Sequence, residues 1–183
     1  MTKQTADDDV RIIGSLRSAA GRGVVRIEDV YPTDIKDLWS AITDPDRLAR
    51  WYGEVEGELR IGGAYRIHLE GPGLYGAGRI EVCDPPRRLR VVSTETDESW
   101  RLGDALPDFD DSIDATLAAD GDRTRLVIEA TGMPLDKIAF YGAGWQLHAE
   151  HLADYLLGRE PIAEPIRFEE LLPSYQRLAA DLG

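Results

Sequence analysis

Residues 141–158 read YGAGWQLHAEHLADYLLG and bring His148, Glu150 and His151 within four positions of one another. The stretch is the core of a long helical pattern running from about residue 134 to residue 157. Gly158 follows it, where a left-handed residue closes a helix. With Trp145 at the centre of one face, a turn of 100° per residue sets Ile138, Gly142, Ala149, Leu152 and Leu156 within about 60° of it. This stripe is predicted to be the buried face, with Trp145 as its anchor. Gly142 and Ala149 are small, so the helix either approaches a sheet there or leaves a void. His148 falls on the shoulder of the stripe near Tyr141 and Tyr155. His151 falls further round towards solvent, and Glu150 almost opposite. The three polar side chains diverge, unlike those of H-E-x-x-H, and zinc would require a further protein ligand. His68 lies in a strand pattern with nothing to bring it near. No metal site and no cofactor are expected.

The rest of the chain supplies strands for this helix to pack on. Residues 10–17 and 23–31 are rich in β-branched side chains and flank a glycine-bearing link, which reads as a hairpin. Two short helices follow. Ile35, Leu38, Trp39 and Ile42 share one helical face. Asp44-Pro45 supplies an N-cap and a first-turn proline for a second helix that stops at Gly53. From residue 54 the period changes to two. Strand patterns cover 54–61, 62–70, 75–82, 87–95, 111–119 and 123–131, separated by turn chemistry such as Gly71-Pro72-Gly73 and Asp120-Gly121-Asp122. Short links between successive strands predict an antiparallel meander. The run DALPDFDD (104–111) reads as a solvated acidic loop, with Trp100 and Phe109 flanking it as a flap. Residues 159–166 look extended. Phe168, Leu171, Leu172, Tyr175 and Leu178 then give the tail one apolar helical face, predicted to dock on the domain or on a second subunit. Residues 1–9 are polar and acidic and are expected to be disordered.

Composition narrows the classes of function. The chain has 183 residues, 43% hydrophobic and 30% charged, which suits one globular domain with a core of its own. A formal net charge of −13 argues against nucleic acid and anionic membrane as partners. No apolar run reaches the roughly 20 residues of a membrane span. The first ten residues lack the apolar core of a signal peptide, so a cytoplasmic location is expected. Cys83 is the single cysteine. It rules out an intrachain disulfide, and it reads as a strand-end residue rather than a nucleophile.

In order, these segments resemble a known family. The series is a strand with Arg26-Ile27-Glu28, a helix with Leu38-Trp39, TDPDRLARWYG (43–53), GELRIGGAYRI (57–67), GRIEVCDPPRRL (78–89) and GWQLHAEHLADYL (144–156). It is similar to the START-related helix-grip superfamily (SRPBCC), in the branch resembling the C-terminal domain of the activator of heat-shock protein 90 ATPase. The likeness covers about residues 23–157. It implies an α+β helix-grip fold: a curved antiparallel sheet wrapped around the long helix, a cavity between them, and the two short helices closing one end. The domain then spans 10–158 with an extra N-terminal strand, and 159–183 forms a linker and a docked helix. Members of the superfamily include ligand carriers, aromatic polyketide cyclases, hydroxylase components and a co-chaperone, so the fold alone does not name the activity. No Cys/His cluster for a Rieske centre is present, which excludes a complete ring hydroxylase.

Within that frame the expected cavity residues are Trp39, Trp51, Tyr65, Ile67, Tyr141, Trp145, His148 and Leu152. Tyr65 and Ile67 share the inward face of their strand, which turns Arg66 and His68 outward. Arg79, Glu81 and Arg90 read as surface cross-strand partners. His148 reads either as a half-buried histidine bonded locally or as a group that orients a ligand or moves a proton. Three functions follow: a binding protein for a small apolar or aromatic molecule; a cyclase or aromatase using His148, Tyr65 and Tyr141; or a co-chaperone-like interaction protein. A monomer or homodimer is compatible with each.

Overall fold

The computed structural model describes residues 10–69, 74–95 and 109–182. The expected disorder of 1–9, the Gly71-Pro72-Gly73 turn and the Trp100 side of the flap lie outside them, as does the side chain of Phe109. Among the described residues, eight strands form one antiparallel sheet in the order β1-β2-β8-β7-β6-β5-β4-β3. They are β1 (Gly14–Ala19), β2 (Arg22–Tyr31), β3 (Glu54–Gly57), β4 (Ala64–Leu69), β5 (Leu74–Asp84), β6 (Arg88–Glu95), β7 (Phe109–Asp120) and β8 (Arg123–Met133). The helices are α1 (Ile35–Ala41), α2 (Pro45–Leu48), α3 (Ile138–Leu156) and α4 (Glu164–Ala180). β3 to β8 are the expected meander. Its last strand pairs with β2, so α1 and α2 must carry the chain from β2, beside the β1 edge, across to the β3 edge.

Local chemistry sets the element ends. Asp34 caps α1 by accepting from the backbone N–H groups of Lys36 and Asp37, and Asp44 caps α2 through Asp46 and Arg47. The strand expected over 54–61 stops at Gly57. There φ is +145°, and an added Cβ would sit 2.3 Å from the Ala64 carbonyl oxygen. The chain turns at that point and leaves Leu59 and Ile61 exposed. DALPDFDD is not wholly loop either, because β7 takes up its last three residues and Asp111 is buried.

Period two then sorts the sheet. Leu126, Ile128 and Ala130 of β8 point inward, alongside Ala115 and Leu117 of β7. The outer face carries ion pairs, among them Arg90–Glu81 at 3.1 Å and Arg88–Asp114 at 2.6 Å.

α3 departs most from expectation. No residue of α3 is exposed, although the sequence suggests a single apolar stripe. One face lies on the sheet, where the Tyr31 hydroxyl donates to the Ala149 carbonyl at 3.1 Å. A second face is covered by α4, with Ala143, Leu147, Leu171 and Tyr175 forming a core cluster of their own. Gln146, fully buried, binds these parts together. Its Oε1 accepts from the Ile13 N–H at 3.1 Å and from the Tyr175 hydroxyl at 2.7 Å. Its Nε2 donates to the Arg11 carbonyl at 2.7 Å and to Glu150 at 2.9 Å. Glu150 in turn accepts two bonds from Arg167 of α4, at 2.6 and 2.8 Å. These contacts push the Arg167 pKa further up. The glutamate of HAEH therefore fastens the tail helix to the domain.

The tail fastening can be tested by truncation. Tyr175→Ala removes a fully buried ring and should cost about 3–5 kcal/mol, whereas Tyr175→Phe keeps the ring and loses the hydroxyl's bonds to Gln146 and the Gly14 backbone, about 1–2 kcal/mol. Equal melting temperatures for the wild type and the alanine variant would contradict this packing.

Candidate functional site

Between the inner face of the sheet, α3 and the start of α4 lies an open cavity of about 790 Å³. It exists because the inner face carries small side chains where α3 passes over it. Gly76 on β5 and Ala115 on β7 leave room, and Gly144 on α3 faces open space with nothing within 4 Å of an added Cβ. The walls are largely aliphatic, with Ile67, Ile80, Val91, Ile113 and Ile128 from the sheet.

Of the residues expected from sequence, Trp51, Tyr65, Ile67, Tyr141, Trp145 and His148 lie on the cavity wall. Trp39 and Leu152 do not. Trp39 is packed into the core with Leu38 and Ala41 under α1. Leu152 is fully buried one turn past His148, where the Tyr31–Ala149 bond draws the helix onto the sheet and closes the space. Trp145 is not the buried anchor of α3; it is half-buried on the cavity wall. Gly142 does not border the void beside Trp145. A Cβ there would come within 2.4 Å of the Tyr175 ring, so this glycine makes room for α4. His151 does not point freely to solvent, since its Nε2 is shielded and has no hydrogen-bond partner.

An aromatic group forms the end of the cavity next to α2. Trp51 is fixed by an indole N–H bond to the Ala41 carbonyl at 3.0 Å. Tyr52 stands 5.3 Å from Trp51, stacks on Trp145 at 6.2 Å and meets His148 edge-on at 4.8 Å. Nearby, Arg47 braces α1 and α2 against α3 through Asp37 at 2.9 Å and the Tyr155 hydroxyl at 3.0 Å. Tyr52 was not among the expected site residues. Its position beside Trp51 in RWYG was the available signal.

His148 is held neutral. Burial first, and the neighbouring His151 second, push its pKa down to about 3. Its Nδ1 is shielded and unpartnered, so the ring offers hydrogen-bonding capacity that no described side chain uses. At the other end, Gly78, Ser93 and Asp111 lie in one row across β5, β6 and β7. The Ser93 hydroxyl donates a short hydrogen bond to Asp111. Burial, the largest effect, raises the Asp111 pKa to about 6; the Ser93 bond opposes it and the adjacent Asp110 adds to it. Asp111 was also missed, although Ile113, Ala115 and Leu117 two, four and six positions on already set its strand face inward. Among the described residues no group of three or more ligating side chains could hold a metal ion, and His148, Glu150 and His151 do not converge.

Residues 32–157 match the family described as Activator of Hsp90 ATPase homolog 1-like protein. The chain belongs to that family. Solved structures agree with the fold. The crystal structure of CalU16 from Micromonospora echinospora is similar at 26% identity and TM-score 0.66, over 91% of this chain and 96% of that one. DynU16, described as a protein of the dynemicin biosynthetic locus, is 26% identical with TM-score 0.62; the match covers 75% of this chain and 48% of DynU16. EF2215 from Enterococcus faecalis, at 18% identity, shares the fold with TM-score 0.68 over 93% of this chain and 92% of that one. None of the curated proteins matches the chain. No helix among the described residues is long and apolar enough to cross a membrane.

The buried acid gives a stability signature with a definite sign. Its folded pKa lies above the unfolded value of 3.8, so its contribution is fully present below pH 3.8 and is lost as pH rises through 6. Asp111→Asn removes that dependence. The variant should gain on the wild type between pH 4 and pH 7.5 by on the order of 2 kcal/mol. Denaturant melts at both pH values check it, and a constant difference between the two proteins would mean that Asp111 is not buried as described.

Proposed function

We propose that the protein binds a small apolar or aromatic molecule in the cavity between the sheet and α3. The observation that carries this reading is the open space itself. A helix-grip protein acting only through its outer surface has no use for about 790 Å³ of aliphatic and aromatic wall, and side chains filling that space would be more stable. Pockets of this make-up take hydrophobic molecules and orient them with a few polar groups. Here Tyr65, Tyr141, His148 and the Ser93–Asp111 pair are those groups. Family membership and the likeness to CalU16 and DynU16 fit a ligand-binding role. We place the protein in the cytoplasm, as a monomer or homodimer.

One observation favours a second, catalytic reading of the same site. A buried carboxyl whose pKa is pushed up to about 6 sits opposite a neutral histidine on the cavity wall. Such a pair can move a proton during enolisation or dehydration, as a cyclase-like reaction requires. Asp111 and His148 replace Tyr65 and Tyr141 as the leading acid–base groups in that reading.

Nile red, a neutral dye that brightens in apolar surroundings, tests the binding reading. It should bind with a dissociation constant on the order of micromolar. Gly144→Phe places a ring in the open space beside Trp145 and should weaken binding at least about tenfold, with the circular dichroism spectrum unchanged. Binding that survives this substitution would place the site elsewhere. Gly142→Leu is the contrasting variant: it strikes Tyr175 and should lower stability instead.

A further inference from the structure

The charge on the cavity is one-sided. Five acidic residues border it: Asp111 inside, and Glu56, Glu58, Glu164 and Glu169 around it. No lysine or arginine lines it among the described residues. Glu58 is paired with Arg60, but Glu56, Glu164 and Glu169 have no ion pair among the described residues. The whole chain carries a formal charge of −13. Such a field draws cations towards the mouth and repels anions.

Inside, Asp111 is only 7% exposed, and its described hydrogen-bond partners are all neutral: the Ser93 hydroxyl and the backbone N–H groups of Asp111 and Ser93. A carboxylate with two oxygens can accept about four hydrogen bonds. The charged groups around it do not compensate its charge. Asp110 precedes it on β7, and Arg79 and Glu81 share with it a groove lined by β5 to β8; neither makes an ion pair with it, Arg79 being 3.4 Å from Glu81. A buried carboxylate without a cation is costly, and the cost is relieved by a partner that brings both charge and donors. At the far end, the unpartnered Nδ1 of His148 is a second polar group that the protein leaves unsatisfied. The aromatic faces of Trp51, Tyr52 and Trp145 beside His148 also tolerate a passing cation.

We propose that the cavity selects amphiphilic amines: molecules with an apolar or aromatic body and one protonated amine, which pairs with Asp111 beside Ser93. This rests on the cavity-binding reading above and narrows it from apolar molecules in general to cationic ones. Acidic aromatic molecules of the same size are disfavoured, since His148 is neutral and no lysine or arginine lines the wall among the described residues.

The test uses three compounds with one body, competing with Nile red on the intact protein: 2-(1-naphthyl)ethylamine, 2-(1-naphthyl)ethanol and 1-naphthylacetic acid. The amine should displace the dye at least about tenfold better than the alcohol, and the acid should be the weakest. In Asp111→Asn the advantage of the amine over the alcohol should disappear. In the wild type the amine's advantage should shrink as pH drops below about 6, where Asp111 takes up a proton. Equal displacement by amine and alcohol in the wild type overturns the proposal and leaves the cavity reading intact, and that comparison does not depend on any variant folding. An amine preference that persists in Asp111→Asn also overturns it, placing the cation at the rim or on the aromatic faces. Failure of Nile red itself to bind would instead remove the cavity reading on which the proposal stands.

Discussion

Everything in this structure depends on α3 being buried on more than one side. A helix lying on a sheet needs only one apolar stripe, and its opposite face then meets water. Here α4 covers another face, and the seam between them is closed by Gln146, Tyr175, Glu150 and Arg167. A fully buried glutamine is costly unless its polar atoms are paired. Gln146 has four such bonds, to the chain before β1, to α3 itself and to α4. That network holds the helix from behind. Its front is therefore not obliged to pack tightly on the sheet along its whole length, and the cavity beneath Gly144 and Trp145 persists.

The site follows from where the front is pinned and where it is not. Tyr31 fixes Ala149, and Leu152 packs below it, so the space closes towards the C-terminal end of α3. Ahead of that point the sheet presents Gly76 and Ala115, and the space opens. Asp34 and Asp44 cap the two short helices, and Arg47 ties both to Tyr155, setting Trp51 and Tyr52 against the aromatic end. The polar groups are sparse and separate: a neutral histidine at one end and a buried acid with its serine at the other.

Much of this was legible in the sequence. The period-two strands, the capped short helices and the meander all come from local chemistry that tertiary packing did not override. Six of the eight expected wall residues lie on the cavity because strand alternation and helix phase set them there. The errors share a cause. A single-stripe reading of α3 assumes that its other side meets solvent, so it sets Gly142 against the sheet or a void when this glycine makes room for Tyr175, and it turns Glu150 and His151 outward. Trp39 and Leu152 have the right face but the wrong depth, which depends on where the sheet curves under the helix. Asp111 was hidden by its place at the end of an acidic run, although its strand phase pointed inward.

The central claim is that the open cavity between the sheet and α3 is a ligand site. Nuclear magnetic resonance of labelled protein tests it most directly, following the tryptophan indole and isoleucine methyl signals while 2-(1-naphthyl)ethanol is added. Shifts concentrated at Trp51, Trp145, Ile67, Ile80 and Ile113, with Ile12 and Ile35, which lie off the cavity wall, unmoved, are the predicted result. Saturating ligand that leaves the cavity signals in place, or that moves only the outer residues, would contradict the account.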